Sequence, residues 1–76
     1  MRVTYLPHAR ERMFGRKVSE SEVEAVLRDY ETDLPAKHGR KNRYKVVNGR
    51  RIRVTFLQTS ADEYLVWTVT ANEVVP

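Results

Sequence analysis

The run Arg43-Tyr44-Lys45-Val46-Val47-Asn48-Gly49-Arg50-Arg51-Ile52-Arg53-Val54-Thr55-Phe56 decides the fold. Tyr44, Val46, Ile52, Val54 and Phe56 alternate with Arg43, Lys45, Arg51, Arg53 and Thr55, the two-residue period of half-buried strands. Asn48-Gly49 marks a hairpin between them. A two-residue turn sets Val46 opposite Arg51 and mixes apolar with basic side chains on both faces. A three-residue loop of Val47, Asn48 and Gly49, with Gly49 as a bulge, pairs Val46 with Arg50 and Tyr44 with Ile52 and keeps one face apolar. The three-residue loop is therefore the expected one. It gathers Arg43, Lys45, Arg51 and Arg53 on the opposite face of the sheet.

That hairpin lies in a wider basic block. Lys37, Arg40, Lys41, Arg43, Lys45, Arg50, Arg51 and Arg53 occur without one intervening carboxylate. Glu20, Glu22, Glu24, Asp29, Glu31 and Asp33 crowd an earlier segment whose only base is Arg28. Charge segregated in this way produces a field, and cationic side chains that neutralise phosphates release condensed counterions. RNA or DNA is the leading partner. The alternative is a solvated surface that blocks edge-to-edge strand pairing.

Upstream, Leu6, Ala9 and Met13 fall at helical spacing with Pro7 at the start. A first helix is expected from about Pro7 to Phe14, stopped by Gly15. Ser19 and Glu22 form the S-x-x-E capping box, and Val18 and Val23 the flanking hydrophobic staple. A second helix follows, burying Val23, Val26, Leu27 and Tyr30 and ending near Tyr30. Asp33 to Lys37 offers a short strand that Pro35 confines to an edge. Thr59 to Asp62 is a polar turn. Glu63 to Ala71, rich in β-formers and apolar on both faces, is the expected central strand, with Trp67 as core anchor.

The result is an α+β fold, two N-terminal helices on one face of a three- to four-stranded antiparallel sheet whose other face is open. Seventy-six residues accommodate one domain, spanning 1–76. Without cysteine there is no disulfide framework or thiolate metal site. No stretch is long enough to cross a bilayer and no signal peptide is evident, so a cytoplasmic protein is expected. The net charge of +4 and pI near 9.8 suit a nucleic-acid binder.

His8-Ala9-Arg10-Glu11-Arg12-Met13 with Arg16, then Val18-Ser19-Glu20-Ser21-Glu22-Val23, and Val66-Trp67-Thr68-Val69-Thr70 near the end resemble the bacterial family called domain of unknown function 4258. That family is similar to the RelE/ParE-like toxins, within the barnase, EndoU, colicin and RelE group of metal-independent ribonucleases. The resemblance implies a two-helix, antiparallel-sheet fold. It also implies an endoribonuclease toxin of a toxin-antitoxin system, with RNA, including ribosome-bound messenger RNA, as substrate and an acidic antitoxin as partner. ParE-like relatives act on a protein target instead, and fold alone does not carry function.

The residues with matching chemistry are His8, Arg12 and Arg16. Separated by four positions, they drift only about 40° per step around a helix and form one stripe. Cleaving RNA without metal needs a base, an acid and cations on the phosphorane. An imidazole, the side chain suited to acid-base work near neutrality, and two guanidinium groups supply those types. The alternative is a structural His8 at the helix start, with Arg12 paired to Glu11, Glu22 or Glu24. Thr70 is a further catalytic candidate, its hydroxyl suited to a phosphate oxygen, although threonine is also a common strand former.

The expected nucleic-acid contacts are Lys37, His38, Arg40, Lys41, Arg43, Lys45, Arg51 and Arg53, with Lys37 to Lys41 as a flexible loop closing over a phosphate backbone. Tyr44 is a stacking candidate, but its alternation class assigns it to the core. No metal or cofactor is expected, since the two histidines lie thirty positions apart without companion ligands. A nucleophile elbow and a Gly-rich phosphate loop are both missing.

Overall fold

A computed structural model describes residues 1–74. Its order is β1 (Arg2–Tyr5), α1 (Pro7–Arg16), α2 (Glu20–Arg28), β2 (Thr32–Pro35), a 3-10 turn at Lys37–Gly39, β3 (Lys41–Val47), β4 (Arg50–Ser60) and β5 (Glu63–Glu73). The fold is α+β, with both helices on one face of a five-stranded sheet ordered β1-β5-β4-β3-β2. The sheet is mixed, not antiparallel throughout, because β1 pairs in parallel with β5. This short edge strand has no counterpart in the expected three- to four-stranded sheet; Arg2-Val3-Thr4-Tyr5 alternates, but over only four residues, too few to stand out. β2 is the opposite edge, as Pro35 requires.

Ala9, Met13, Val18, Val23, Val26 and Leu27 from the helical side meet Ile52, Val54, Phe56, Val66, Val69 and Ala71 from the sheet in one buried cluster. α2 starts as its sequence demands. The Ser19 side chain accepts from the Glu22 backbone N–H at 3.1 Å, and the Glu22 carboxylate accepts from the Ser19 N–H at 2.9 Å. α1, by contrast, runs through Gly15 and ends at Lys17, whose φ of 55° supplies the left-handed cap expected of glycine. The Val18 N–H donates to the Met13 carbonyl there, and Val18 is buried, so burial of the next residue fixes the stop. Tyr30 lies beyond α2 and is 44% exposed, not part of its buried stripe.

The central correction concerns the hairpin. Val47 pairs with Arg50, Val46 with Arg51, Lys45 with Ile52 and Tyr44 with Arg53, the register of a two-residue Asn48-Gly49 turn. Both turn residues have positive φ, 52° and 79°, as in the type I′ turn whose twist matches its strands. Local turn chemistry outweighs clean segregation of apolar from basic side chains. Val46 and Tyr44 then leave the core face, and Arg43 and Lys45 enter it.

The structure meets the cost of that register with the acids of the earlier segment. Arg43, only 7% exposed, donates from Nε to Asp33 at 2.8 Å and from Nη1 to the Leu27 carbonyl at 2.8 Å. Its guanidinium lies 4.2 Å from the Tyr30 ring centroid and 4.7 Å from that of Phe56. Lys41 pairs with Asp33 and Lys45 with Asp29. Arg50 reaches the carbonyls of Arg16 and Lys17 and the Glu22 carboxylate, tying the end of α1 to the start of α2.

A pH dependence follows. The hydrogen bond from the Ser19 backbone, helped by Asn48 and Arg50, holds Glu22 below the usual carboxylate range; the Arg43 hydrogen bond, helped by Lys41, does the same for Asp33. Carboxyl groups depressed in the folded state contribute stability that is fully present above their unfolded pKa values of about 4 and lost as pH falls through the folded values. Urea midpoints will be level near neutrality and fall below pH ~4. In Asp33→Asn the acid-side decline will be shallower. An unchanged decline in that variant contradicts the assignment.

Candidate nucleic-acid interface

Because Ile52, Val54 and Phe56 face the helices, their neighbours Arg51, Arg53 and Thr55 face the open side. Strand pairing sets Tyr44 and Thr70 on either side of Arg53, and Asn72 beside Arg51. These five side chains, Tyr44, Arg51, Arg53, Thr70 and Asn72, line a shallow cavity of about 270 Å³. Arg51 stacks on Tyr44, its guanidinium carbon 4.5 Å from the ring centroid. The Nε of Arg53 is buried and has no hydrogen-bond partner. In the next row Thr55 donates to Asn42 at 2.5 Å, which leaves these two groups satisfied by each other.

A second stack lies toward the other end of the face. Thr55 pairs with Thr68 and Phe56 with Val66, so Trp67 is the extra residue of a β-bulge. The bulge turns its indole away from the core: Trp67 is 36% exposed and does not anchor the interior. Arg40 covers it, with its guanidinium carbon 4.0 Å from the ring centroid. The loop carrying Arg40 is a tight turn. His38 sits at φ 60° and Gly39 at φ 74°, the Ala36 N–H donates to the Arg40 carbonyl, and the Arg40 N–H donates back to Lys37. This internally bonded geometry replaces the flexible loop expected from composition, and it holds Arg40 in place while Lys37 and His38 remain exposed.

The expected patch of Arg43, Lys45, Arg51 and Arg53 on one surface is therefore divided. Arg51 and Arg53 stand on the open face; Arg43 and Lys45 stand on the helix face. Charges separated along the chain are not separated in space, since Lys41, Arg43, Lys45 and Arg50 are neutralised by Asp33, Asp29 and Glu22. Among the described residues, Lys37, Arg40, Arg51 and Arg53 are the members of the basic block that make no ion pair. An attraction assigned to eight cations rests on four.

The catalytic candidates are also divided. α1 packs through Ala9 and Met13 on the covered side, so His8, Arg12 and Arg16 lie across the sheet from Arg51, Arg53 and Thr70. The side chains of His8 and Arg12 are exposed and form no hydrogen bond or ion pair among the described residues, including the pairing of Arg12 with Glu11, Glu22 or Glu24. Arg16 donates to the Ala71 carbonyl at 3.4 Å. Thr70 alone of the four belongs to the cavity. Tyr44, Trp67 and Asn72 are the open-face residues missing from the expected contacts; the three-residue loop concealed Tyr44, for which the Asn-Gly pair held the signal.

Among the described residues, no group of three or more His, Cys, Asp or Glu is placed to hold a metal ion. Nor is any helix long and apolar enough to cross a membrane. No protein-family model, curated protein or solved structure matches the chain. The resemblance to the RelE/ParE-like group accordingly rests on the motifs quoted above.

Proposed function

We propose that the protein is an RNA-binding module whose ligand lies on the open face of the sheet. The observation that carries this reading is the Arg51-Arg53 pair beside Tyr44 and Thr70, with no acidic partner and with one buried guanidinium N–H left to donate. Guanidinium groups present planar donor pairs that match phosphate oxygens. A hydroxyl and a carboxamide beside them, from Thr70 and Asn72, extend the same hydrogen-bonding surface. The cavity has no imidazole or carboxylate in its lining, which favours binding over cleavage.

The second reading, a RelE/ParE-like metal-independent endoribonuclease of a toxin-antitoxin system, is favoured by one arrangement. Two guanidinium groups without an acidic partner share the cavity with Tyr44 and Thr70, both hydroxyl-bearing residues. The two helices on one face of a sheet fit the fold implied by the family resemblance. In either reading a cytoplasmic setting and an acidic protein partner suit the basic face.

Incubation with end-labelled RNA separates the readings. The binding module retains RNA in a gel shift without cutting it, and His8→Ala and Arg12→Ala leave the shift unchanged. Cleavage that survives His8→Ala but disappears in Thr70→Val places the chemistry on the open face. Cleavage lost in His8→Ala returns it to α1 and contradicts the proposed surface.

A further inference from the structure

We infer that the open face takes single-stranded nucleic acid, with two unpaired bases straddling one phosphate. Tyr44 and Trp67 would serve as the base platforms and Arg53 with Thr70 as the phosphate seat. This rests on the RNA-binding reading and specifies its ligand. The two aromatic side chains are on the open side, each beneath an arginine; Arg53 and Thr70 share the row of Tyr44 in the cavity, on its side nearer Trp67, with the Asn42-Thr55-Thr68 row between. Tyr44 lies on β3 and Trp67 on β5, with β4 intervening, and Trp67 is three residues along from the Thr70 row. Two strand spacings and that offset separate the Cα atoms by on the order of 14 Å.

A stacked duplex cannot use both platforms. Neighbouring bases in a helix follow at about 3.4 Å per strand, and their faces are covered by one another. Stacking on a protein ring needs a bare π-face, which only an unpaired, unstacked base offers. The guanidinium planes of Arg51 and Arg40 occupy those ring faces in the free protein. When a base arrives, each arginine either closes over its far side or turns to the adjoining phosphate, so the stacks hold the rings ready and keep apolar surface covered. Three uncompensated arginines in this small area complement the backbone of one short strand.

Trp67 is the sole tryptophan, so its emission reads its own platform. A single-stranded RNA octamer titrated into the protein is expected to quench and shift that emission. The annealed duplex of the same sequence, followed by anisotropy of a label on the RNA, is expected to bind at least tenfold more weakly. Tyr44→Ala keeps the reporter and should weaken single-strand binding about 5- to 150-fold, the range for losing one stacked base, while Tyr44→Phe restores it. Trp67→Ala should do the same in the anisotropy assay, with Trp67→Phe restoring binding.

RNA that binds with Trp67 emission unmoved, or a duplex that binds as tightly as the single strand, overturns this footprint and leaves RNA binding intact. No binding of either form overturns the parent reading as well. A DNA octamer of the same sequence that quenches equally supports a footprint built on base and phosphate alone.

Discussion

Arg43→Ala will unfold the protein at temperatures where the parent chain is folded, and its effect on RNA affinity will be secondary to that loss. The guanidinium joins three elements: β3, which carries it, β2 through Asp33, and the last turn of α2 through the Leu27 carbonyl. Removing one partner of a buried, hydrogen-bonded pair costs about 3–5 kcal/mol, because the remaining charge keeps its desolvation and loses its compensation. Asp33 retains some solvent and Lys41, so about 3 kcal/mol is the better figure here. For a domain of this size that corresponds to a fall in Tm of roughly 12–24 °C. Thermal denaturation followed by circular dichroism measures it. A Tm within about 3 °C of the parent would show that Arg43 is not a strut, and would restore it to the list of surface cations.

Arg51→Glu with Arg53→Glu will have the opposite profile, abolishing RNA binding while leaving the fold in place. Both side chains stand on the uncovered face, and neither makes an ion pair among the described residues. Two reversed charges replace attraction by repulsion at the phosphate seat, and loss of one buried charged contact alone costs about 2–5 kcal/mol in affinity. The double variant should bind more than about 100-fold more weakly. The comparison is Lys41→Glu with Lys45→Glu, which reverses two cations of the same block on the helix side. That pair will lower stability and alter RNA affinity far less, as denaturant midpoints and gel shifts measured on the same preparations will show. Equal losses of affinity in the two double variants would mean that the whole block acts as one patch.

The contrast between these variants follows from how the chain conceals its register. α2 was legible because Ser19 and Glu22 satisfy backbone donors locally, and Val18, Val23, Val26 and Leu27 mark its buried side without reference to anything distant. β2 at an edge was legible from Pro35, and the open second face from the number of helices. The hairpin was not, because two local rules disagreed. Asn48-Gly49 asked for a two-residue turn, and apolar alternation asked for three. Alternation lost because Arg43 and Lys45 have long stems and find carboxylates at the margin of the helix layer. Those carboxylates lie 10 and 16 residues upstream of their partners, so nothing near the hairpin announces them.

The same limit explains the site. Trp67 is aimed outward by a one-residue bulge set by its pairing with β4, and a single strand's composition carries no mark of that. Tyr44 shares the open face only in the two-residue register. His8, Arg12 and Arg16 do share α1, but whether a stripe faces a given sheet surface is a matter of tertiary packing. Thr70 was legible because β5 alternates regularly after the bulge, with Val69 and Ala71 buried and Thr70 between them.

The salt dependence of RNA affinity tests the division of the basic block most directly. A single strand that releases counterions from Z neutralised phosphates gives a slope of about −0.7Z in log affinity against log salt concentration. With Arg40, Arg51 and Arg53 in contact, and Lys37 at the margin, the expected slope is about −2 to −3. A slope near −5.5, about what all eight cations of the block would give together, would contradict the register and the open-face site built on it.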